Sequence, residues 1–359
     1  MSEIAEDESG YLAAALQAAR AARGFLEWME EAGEQLAPER IGALVEETRG
    51  RFTERLQTVR ASLDAKPPPQ TFVPFAERLA AGFVDVERAC ELFLSCAEVF
   101  PPESFLRVIS ALHHCARAQE TFYHLRHPLT SFAGFWQLPN VTSIDDVPRP
   151  AAEPPIGVIH VGKGGQHGGF SLYVPEYYEA ARSWPVIVAL HGGSGNGRDF
   201  LWTWLREAKS LGYILIAPNA VLDTWSEVED QGLLQILNWV GSRYNLARDR
   251  VLLTGLSDGA TFALLYGLAH PKVYRAIAPL CGVLHPANAI VGNLERAAGV
   301  PIYLVHGALD FLFPVQVARM ARDNLQQAGA ALTYRELPQL SHTYPRSENV
   351  RILRWFGEI

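Results

Sequence analysis

The chain has 359 residues, 48% of them apolar and 19% charged, with a mean hydropathy of +0.02. That balance is globular and excludes a mostly disordered or collagen-like chain, and the length suits two domains at roughly 150 residues each. A net charge of −8 and a pI near 5.8 do not suit general phosphate-backbone binding, so nucleic acid is not an expected partner.

Residues 1–135 read as a helical domain. Tyr11–Leu36 is rich in Ala, Leu, Glu, Gln and Arg, all good helix formers. Glu39–Ala65 follows, with Ile41, Leu44, Val45, Phe52, Leu56 and Val59 mostly three or four residues apart, which makes one apolar stripe. Pro67-Pro68-Pro69 ends that helix. Phe75–Val99 and Ser104–Leu125 are two more helices, split by Pro101-Pro102. Four helices of this length predict an antiparallel bundle, and a homodimer through it is one expected use. The acidic start, MSEIAEDESG, reads as a solvated tail and has no basic region leading into an apolar core, so no signal peptide is expected. His113, His114 and Cys115 are adjacent, and adjacent helical residues point about 100° apart. They are not expected to share a metal ion, and no cofactor is expected elsewhere.

The four cysteines, Cys90, Cys96, Cys115 and Cys281, form no CxxC pair and suit a reducing compartment. The longest apolar runs fall far short of the roughly 18–20 residues of a membrane span. A cytoplasmic protein without a membrane span is the expectation.

Residues 136–155 read as a proline-rich linker, with Pro139, Pro148, Pro150, Pro154 and Pro155. Residues 156–359 then change texture. Strands are predicted at Gly157–Val161, Phe170–Val174, Val186–Leu190, Ile214–Ala217, Val251–Thr254, Ala276–Leu280, Ile302–Val305 and Leu332–Glu336. Helices are predicted near Asp199–Ser210, Glu227–Tyr244, Gly259–Ala269, Val315–Gln327 and Val350–Phe356. The alternation predicts an α/β fold with a mostly parallel sheet and helices on both faces. The first two strands, joined by the Gly-rich loop Gly162–Gly169, predict an antiparallel hairpin at the sheet edge.

The sharpest local feature is Gly255-Leu256-Ser257-Asp258-Gly259, a Gly-x-Ser-x-Gly that follows a buried strand and opens a helix. A serine on such a tight turn is strained and presents its Oγ at a helix N-terminus, where negative charge is favoured. A serine hydroxyl needs a base, and the base needs an orienting acid. Asp310 ends the loop after the strand Ile302–Val305, and His342 lies in the loop after the last strand. His342 is the only histidine downstream of Asp310. Asp323 is the competing acid, but it lies mid-helix, where a carboxylate faces water. His306 reads as structural, and His270 as the end of the helix after the serine. Two backbone donors are expected to form an oxyanion hole: the N–H of Asp258 and the N–H of Gly193, with Ser194 as the alternative to Gly193. The glycines of His191-Gly192-Gly193-Ser194-Gly195-Asn196-Gly197 let that loop bend inward. Neither GxGxxG nor GxxxxGK[ST] is present there, which argues against a phosphate cradle.

The HGG segment at His191–Gly193, the GLSDG turn around Ser257, the HGALD segment ending at Asp310 and the pair Ser341–His342 together resemble the α/β-hydrolase superfamily. Within it, the chain is similar to the carboxylesterase/phospholipase group and to feruloyl-esterase and polyhydroxybutyrate-depolymerase-like esterases. The resemblance covers about Ile156 to Ile359 and implies a sheet of about eight strands with a Ser257–His342–Asp310 site. The position after the serine is often small or uncharged in these enzymes, and here it is Asp258. The helical half has no counterpart in the resemblance.

Trp225, Phe311 and Phe313 are candidates to line an acyl or aryl pocket, against the alternative that they are core. Cys281–Val300, about 20 residues, is too short for a large lid. The expected activity is hydrolysis of small-molecule carboxylic esters through an acyl-enzyme. An acyltransferase, a thioesterase or a peptidase would use the same residues. The reading from another class is a scaffold or oligomerisation protein with a relic hydrolase half.

Overall fold

The computed structural model describes residues 2–100, 102–141, 153–162 and 168–359. The central part of the proline-rich stretch and most of the Gly-rich loop after the first strand therefore lie outside the described residues. The chain divides into two compact units, Met1–Phe135 and Trp136–Ile359.

The first unit contains four long helices: α1 (Ser2–Glu34), α2 (Ile41–Asp64), α3 (Val73–Leu94) and α4 (Glu103–Leu125). The acidic start belongs to α1. The buried face of α1 is built largely of alanine: Ala14, Ala15, Ala18, Ala19 and Ala22. Such small side chains let neighbouring helices approach closely. Larger residues then fill the remaining space, as where Phe25 meets Phe52 edge to face at 5.4 Å. Thr48 is fully buried on α2. Its Oγ1 donates to Leu44 O at 2.7 Å and accepts from Trp28 Nε1 at 2.8 Å, so each buried polar group is satisfied. His114 Nδ1 lies 2.7 Å from Asp85 Oδ1 across α3 and α4, while the neighbouring Cys115 points into the core. Among the described residues no group of three His, Cys, Asp or Glu is placed to hold a metal, and no helix is long and apolar enough to cross a membrane.

The second unit is built on one eight-stranded sheet in the order β1-β2-β4-β3-β5-β6-β7-β8. The strands are β1 (Gly157–Val161), β2 (Phe170–Val174), β3 (Trp184–Leu190), β4 (Ile214–Pro218), β5 (Leu246–Leu256), β6 (Ala276–Leu280), β7 (Pro301–Gly307) and β8 (Ala331–Leu337). β1 and β2 form the expected antiparallel hairpin. β2 is also antiparallel to β4, and every other pair is parallel. The central strands are buried along their length, as Val, Ile, Leu and Ala runs require in a sheet covered on both faces. The covering helices are α5 (Gly197–Leu211), α6 (Glu229–Gly241), α7 (Asp258–Ala269), α10 (Val315–Gln327) and α11 (Asn349–Glu358). Between β6 and β7 lie two four-residue helices, α8 (Ala287–Ile290) and α9 (Asn293–Arg296). They meet at an exposed tip, where Ile290 is 83% exposed.

Local chemistry fixes where α5 begins and ends. Asn196 caps it by accepting from Asp199 N at 2.9 Å. Gly212 closes it in the left-handed conformation, φ 77°, as a C-terminal glycine does. The start of the expected linker belongs to this unit. Trp136 is buried 6.4 Å from Trp202, and Leu138 N donates to Ser210 Oγ.

Strand order changes direction between β3 and β5, the position where open α/β sheets place their ligand crevice. β3 and β5 are in register from Val186↔Val251 to Leu190↔Gly255, so the loops leaving both strands emerge side by side. The turn from β5 into α7 has no room for side chains at its glycines. A Cβ on Gly255 would stand 2.6 Å from the carbonyl carbon of Gly259, and a Cβ on Gly259 would stand 2.5 Å from Leu190 O.

Two stability predictions follow from these contacts. Thr48→Val leaves the Trp28 indole N–H buried without an acceptor and is expected to destabilise the helical unit by ~1–3 kcal/mol in a denaturant titration. Gly259→Ala is expected to cost about 1–3 kcal/mol of overpacking. It should lower the melting temperature of the second unit, because the methyl would meet backbone that cannot swing away.

Candidate active site

Ser257 stands between β5 and α7 with φ 55° and ψ −112°, a conformation a non-glycine residue rarely adopts. The surrounding backbone holds it there. Ser257 N donates to Leu280 O at 2.9 Å, and Ser257 O accepts from Thr261 N and Thr261 Oγ1, each at 3.0 Å. Its Oγ is left at the start of α7. The first N–H groups of that helix have no intrahelical acceptor, so they favour negative charge nearby.

The loops after β7 and β8 bring the other two residues to it. Those strands are parallel and in register through Gly307↔Leu337. The loops are then tied together by Ala308 N to Leu337 O and Leu309 N to Leu340 O, both 2.9 Å. Gly307 lets the β8 loop cross over it, since a Cβ there would lie 2.6 Å from Ser341 O. His342 Nε2 lies 2.8 Å from Ser257 Oγ, and His342 Nδ1 lies 2.8 Å from Asp310 Oδ2. Facing a carboxylate, Nδ1 carries the proton, which leaves Nε2 free to accept from the serine hydroxyl. Asp323 lies on α10 and pairs with Arg322 at 2.7 Å, away from this line.

The Asp310 side chain is fully buried, and an ionised carboxylate there must be hydrogen-bonded. Oδ1 accepts from Leu312 N at 3.0 Å and Phe313 N at 2.7 Å, and Oδ2 faces His342. His306 supports the same loop. Its Nε2 donates to Phe313 O at 2.8 Å and lies 3.4 Å from Asp310 Oδ2. Burial holds the His306 pKa below the ordinary imidazole value, which suits a neutral ring with a structural task. His270, expected only to close α7, also binds across to α6, with Nε2 2.6 Å from Asp230 Oδ1.

The glycine loop after β3 lies against the serine. A Cβ on Gly192 would stand 3.5 Å from Ser257 Cβ, while a Cβ on Gly193 would meet nothing within 4 Å. Ser194 has φ 60°. Asp258 begins α7, and its carboxylate turns sideways. Oδ2 accepts from Thr224 Oγ1 and, at 3.2 Å, from Trp225 N.

The three aromatic candidates differ in placement. Phe313 and Phe311 present their rings edge-on to His342 at 5.2 and 6.4 Å. Phe311 is 38% exposed at the mouth of the site. Trp225 is only 6% exposed, and its indole N–H donates to His191 O at 2.8 Å. Sequence reasoning did not find that bond, nor the grip of Asp258 on the 224–225 backbone. Both join residues more than 30 positions apart, and no local pattern marks them.

No cysteine competes with the serine. All four are free and buried. Burial pushes the thiols up, to about 12 for Cys281 and Cys90 and about 11 for Cys96, and raises Cys115 further still.

Residues 232–356 match the Phospholipase/Carboxylesterase family. Feruloyl esterase B of Talaromyces funiculosus is 23% identical over 199 residues, which is 51% of this chain and 52% of that protein. The bifunctional acetylxylan esterase/xylanase of Neocallimastix patriciarum is 26% identical over 197 residues, 51% of this chain and 27% of that protein. The chain thus spans about half or less of the length of these relatives. Among solved structures, an acetyl xylan esterase from Aspergillus awamori aligns with a TM-score of 0.47 and 17% identity, covering 56% of this chain and all of that one. The sheet order and the strand–serine–helix turn give the second unit the α/β-hydrolase fold, and residues 232–356 are similar to the phospholipase/carboxylesterase family.

Proposed function

We propose that the second unit is a serine carboxylic-ester hydrolase that works through an acyl-enzyme on small to medium acyl or aryl esters. The observation that carries this is the hydrogen-bonded line from Ser257 Oγ through His342 to the buried Asp310, set on a strained turn at a helix N-terminus. Feruloyl and acetylxylan esterases among the relatives support a carboxylic ester as substrate.

The steps follow from the geometry. His342 Nε2 takes the Ser257 proton as Oγ attacks the ester carbonyl. The N–H groups of Gly193 and Asp258 stabilise the oxyanion. Asp310 holds the imidazole in the right tautomer and stabilises its charge. The alkoxide leaves with the proton from His342, and water, activated by the same ring, releases the acid. Phe311 and Phe313, beside His342, supply apolar surface to one side of the ester.

A small-molecule ester is the only partner this activity needs. A cytoplasmic location and a homodimer through the helical unit complete the proposal, and buried free thiols support a reducing compartment.

The test is hydrolysis of p-nitrophenyl acetate, butyrate, octanoate and palmitate by the full chain beside Ser257→Ala. Turnover is expected to peak at one acyl length and to vanish in the variant. Turnover that persists in Ser257→Ala, or none on any ester, thioester or peptide, sinks the proposal and favours the scaffold reading. Turnover confined to thioesters or peptides redirects it to those carbonyls.

Asp310→Asn keeps the shape but favours the wrong imidazole tautomer. It is expected to lower kcat by about 10⁴-fold, as in other Ser–His–Asp sites. Steady-state kinetics of the purified variant check this.

A further inference from the structure

The loop from β4 to α6, residues 219–228, is fastened to both sides of the serine. At its start, Ala220 N donates to His191 Nε2 at 3.2 Å and Val221 N to Glu229 Oε1 at 2.7 Å. Since His191 Nε2 accepts, Nδ1 carries the proton and donates to Gly192 O at 2.8 Å. In the middle of the loop, Thr224 Oγ1 and Trp225 N both donate to Asp258 Oδ2. The Trp225 ring then turns inward, 4.9 Å from the His191 ring and stacked on Phe262 at 5.8 Å, with its N–H on His191 O.

The two ends of this chain of contacts are significant. One is Asp258, whose backbone N–H is the first proposed oxyanion donor. The other is His191-Gly192, which runs directly into Gly193, the second. One donor lies in the loop after β3 and the other at the first residue of α7, after β5. Residues 192–197 include four glycines, the residue with most freedom to lose. Oxyanion stabilisation depends on donors that are already in place when charge develops. A carboxylate acceptor and a buried indole hold the two together: a charged acceptor strengthens the two bonds it receives, and a buried N–H is costly to leave unmade.

We propose that Trp225 and the side chain of Asp258 are positioning residues that lock the two oxyanion donors into one site, acting through His191 and Thr224. Trp225 then acts behind the oxyanion loop and does not line the acyl pocket. The proposal rests on the serine-hydrolase reading above.

The experiment uses the full chain with Trp225→Phe, Asp258→Ala and Asp258→Asn, beside Ser257→Ala. kcat and KM are read separately on the best p-nitrophenyl ester, with active sites counted by burst titration. Inhibition by phenylboronic acid, which forms a tetrahedral adduct on a serine, is measured in parallel. Trp225→Phe keeps an aromatic ring and loses the indole N–H, and Asp258→Ala loses the acceptor. Each is expected to lower kcat about 10–100-fold per titrated site, with KM within about twofold and boronate inhibition weakened in step. Asp258→Asn keeps an oxygen that can accept both donors but loses the charge, so its kcat is expected to fall less than that of Asp258→Ala. Wild-type kcat per titrated site in Trp225→Phe and Asp258→Ala, or unchanged boronate inhibition, overturns the proposal. So does an Asp258→Asn variant as impaired as Asp258→Ala. An active Ser257→Ala would instead overturn the hydrolase reading, so the two failures are distinguishable.

Discussion

The second unit depends on one close approach of three backbones: the end of β3, the end of β5 and the first turn of α7. Gly259 lies so near the carbonyls of Leu190 and His191, and Gly255 so near Gly259, that no side chain fits at either. With the helix pressed this close, the chain must turn within a single residue, and Ser257 takes the strain, of order 1–3 kcal/mol for such a conformation. The same closeness brings the glycine loop of β3 beside the serine. A looser turn would relax Ser257 and separate these parts together.

The proposed acid and base solve a different problem. A carboxylate deep in a protein must be compensated, and Asp310 is compensated by two backbone amides and an imidazole N–H. The amides belong to the turn that the carboxylate itself organises, Leu312 and Phe313, and His306 secures that turn from below by holding Phe313 O. Because β7 and β8 are neighbours in register, the base loop is tied to the acid loop by backbone bonds before either side chain is considered. The serine is thus set by one junction and the acid–base pair by another, and the His342–Ser257 contact joins them.

Much of this was legible in the sequence because its signals are local. A strand of Val and Leu followed by Gly-x-Ser-x-Gly and a helix names its own turn, and chain order singles out His342. β1, β2 and β6 fall on the residues expected for them, since each is a short apolar run bounded by turn residues. β5 begins earlier than its apolar run, at Leu246. Its first residues include the exposed Arg248 and Asp249; Leu246 pairs with Trp184, and the register shifts before Val251 pairs with Val186. α6 is shorter than the segment Glu227–Tyr244, because Ser242 to Tyr244 turn back to enter β5. The part played by Trp225 was not legible. A tryptophan in a loop after a strand suits a pocket wall as well as a brace, and only its partner His191, 34 residues earlier, distinguishes them.

The connection between β6 and β7 has an evolutionary consequence. Its two short helices are anchored from beneath by buried asparagines, with Asn293 bonded to Leu265 O and to Asn288 Oδ1. The tip from Ile290 to Gly292 is outside that anchorage, and Gly292 already has a left-handed backbone. New chain inserted at this tip would leave the asparagine anchors beneath it in place. The tip is a splice point: an exposed loop tip with a left-handed glycine tolerates acquired or lost chain while the anchored helices on either side keep their places.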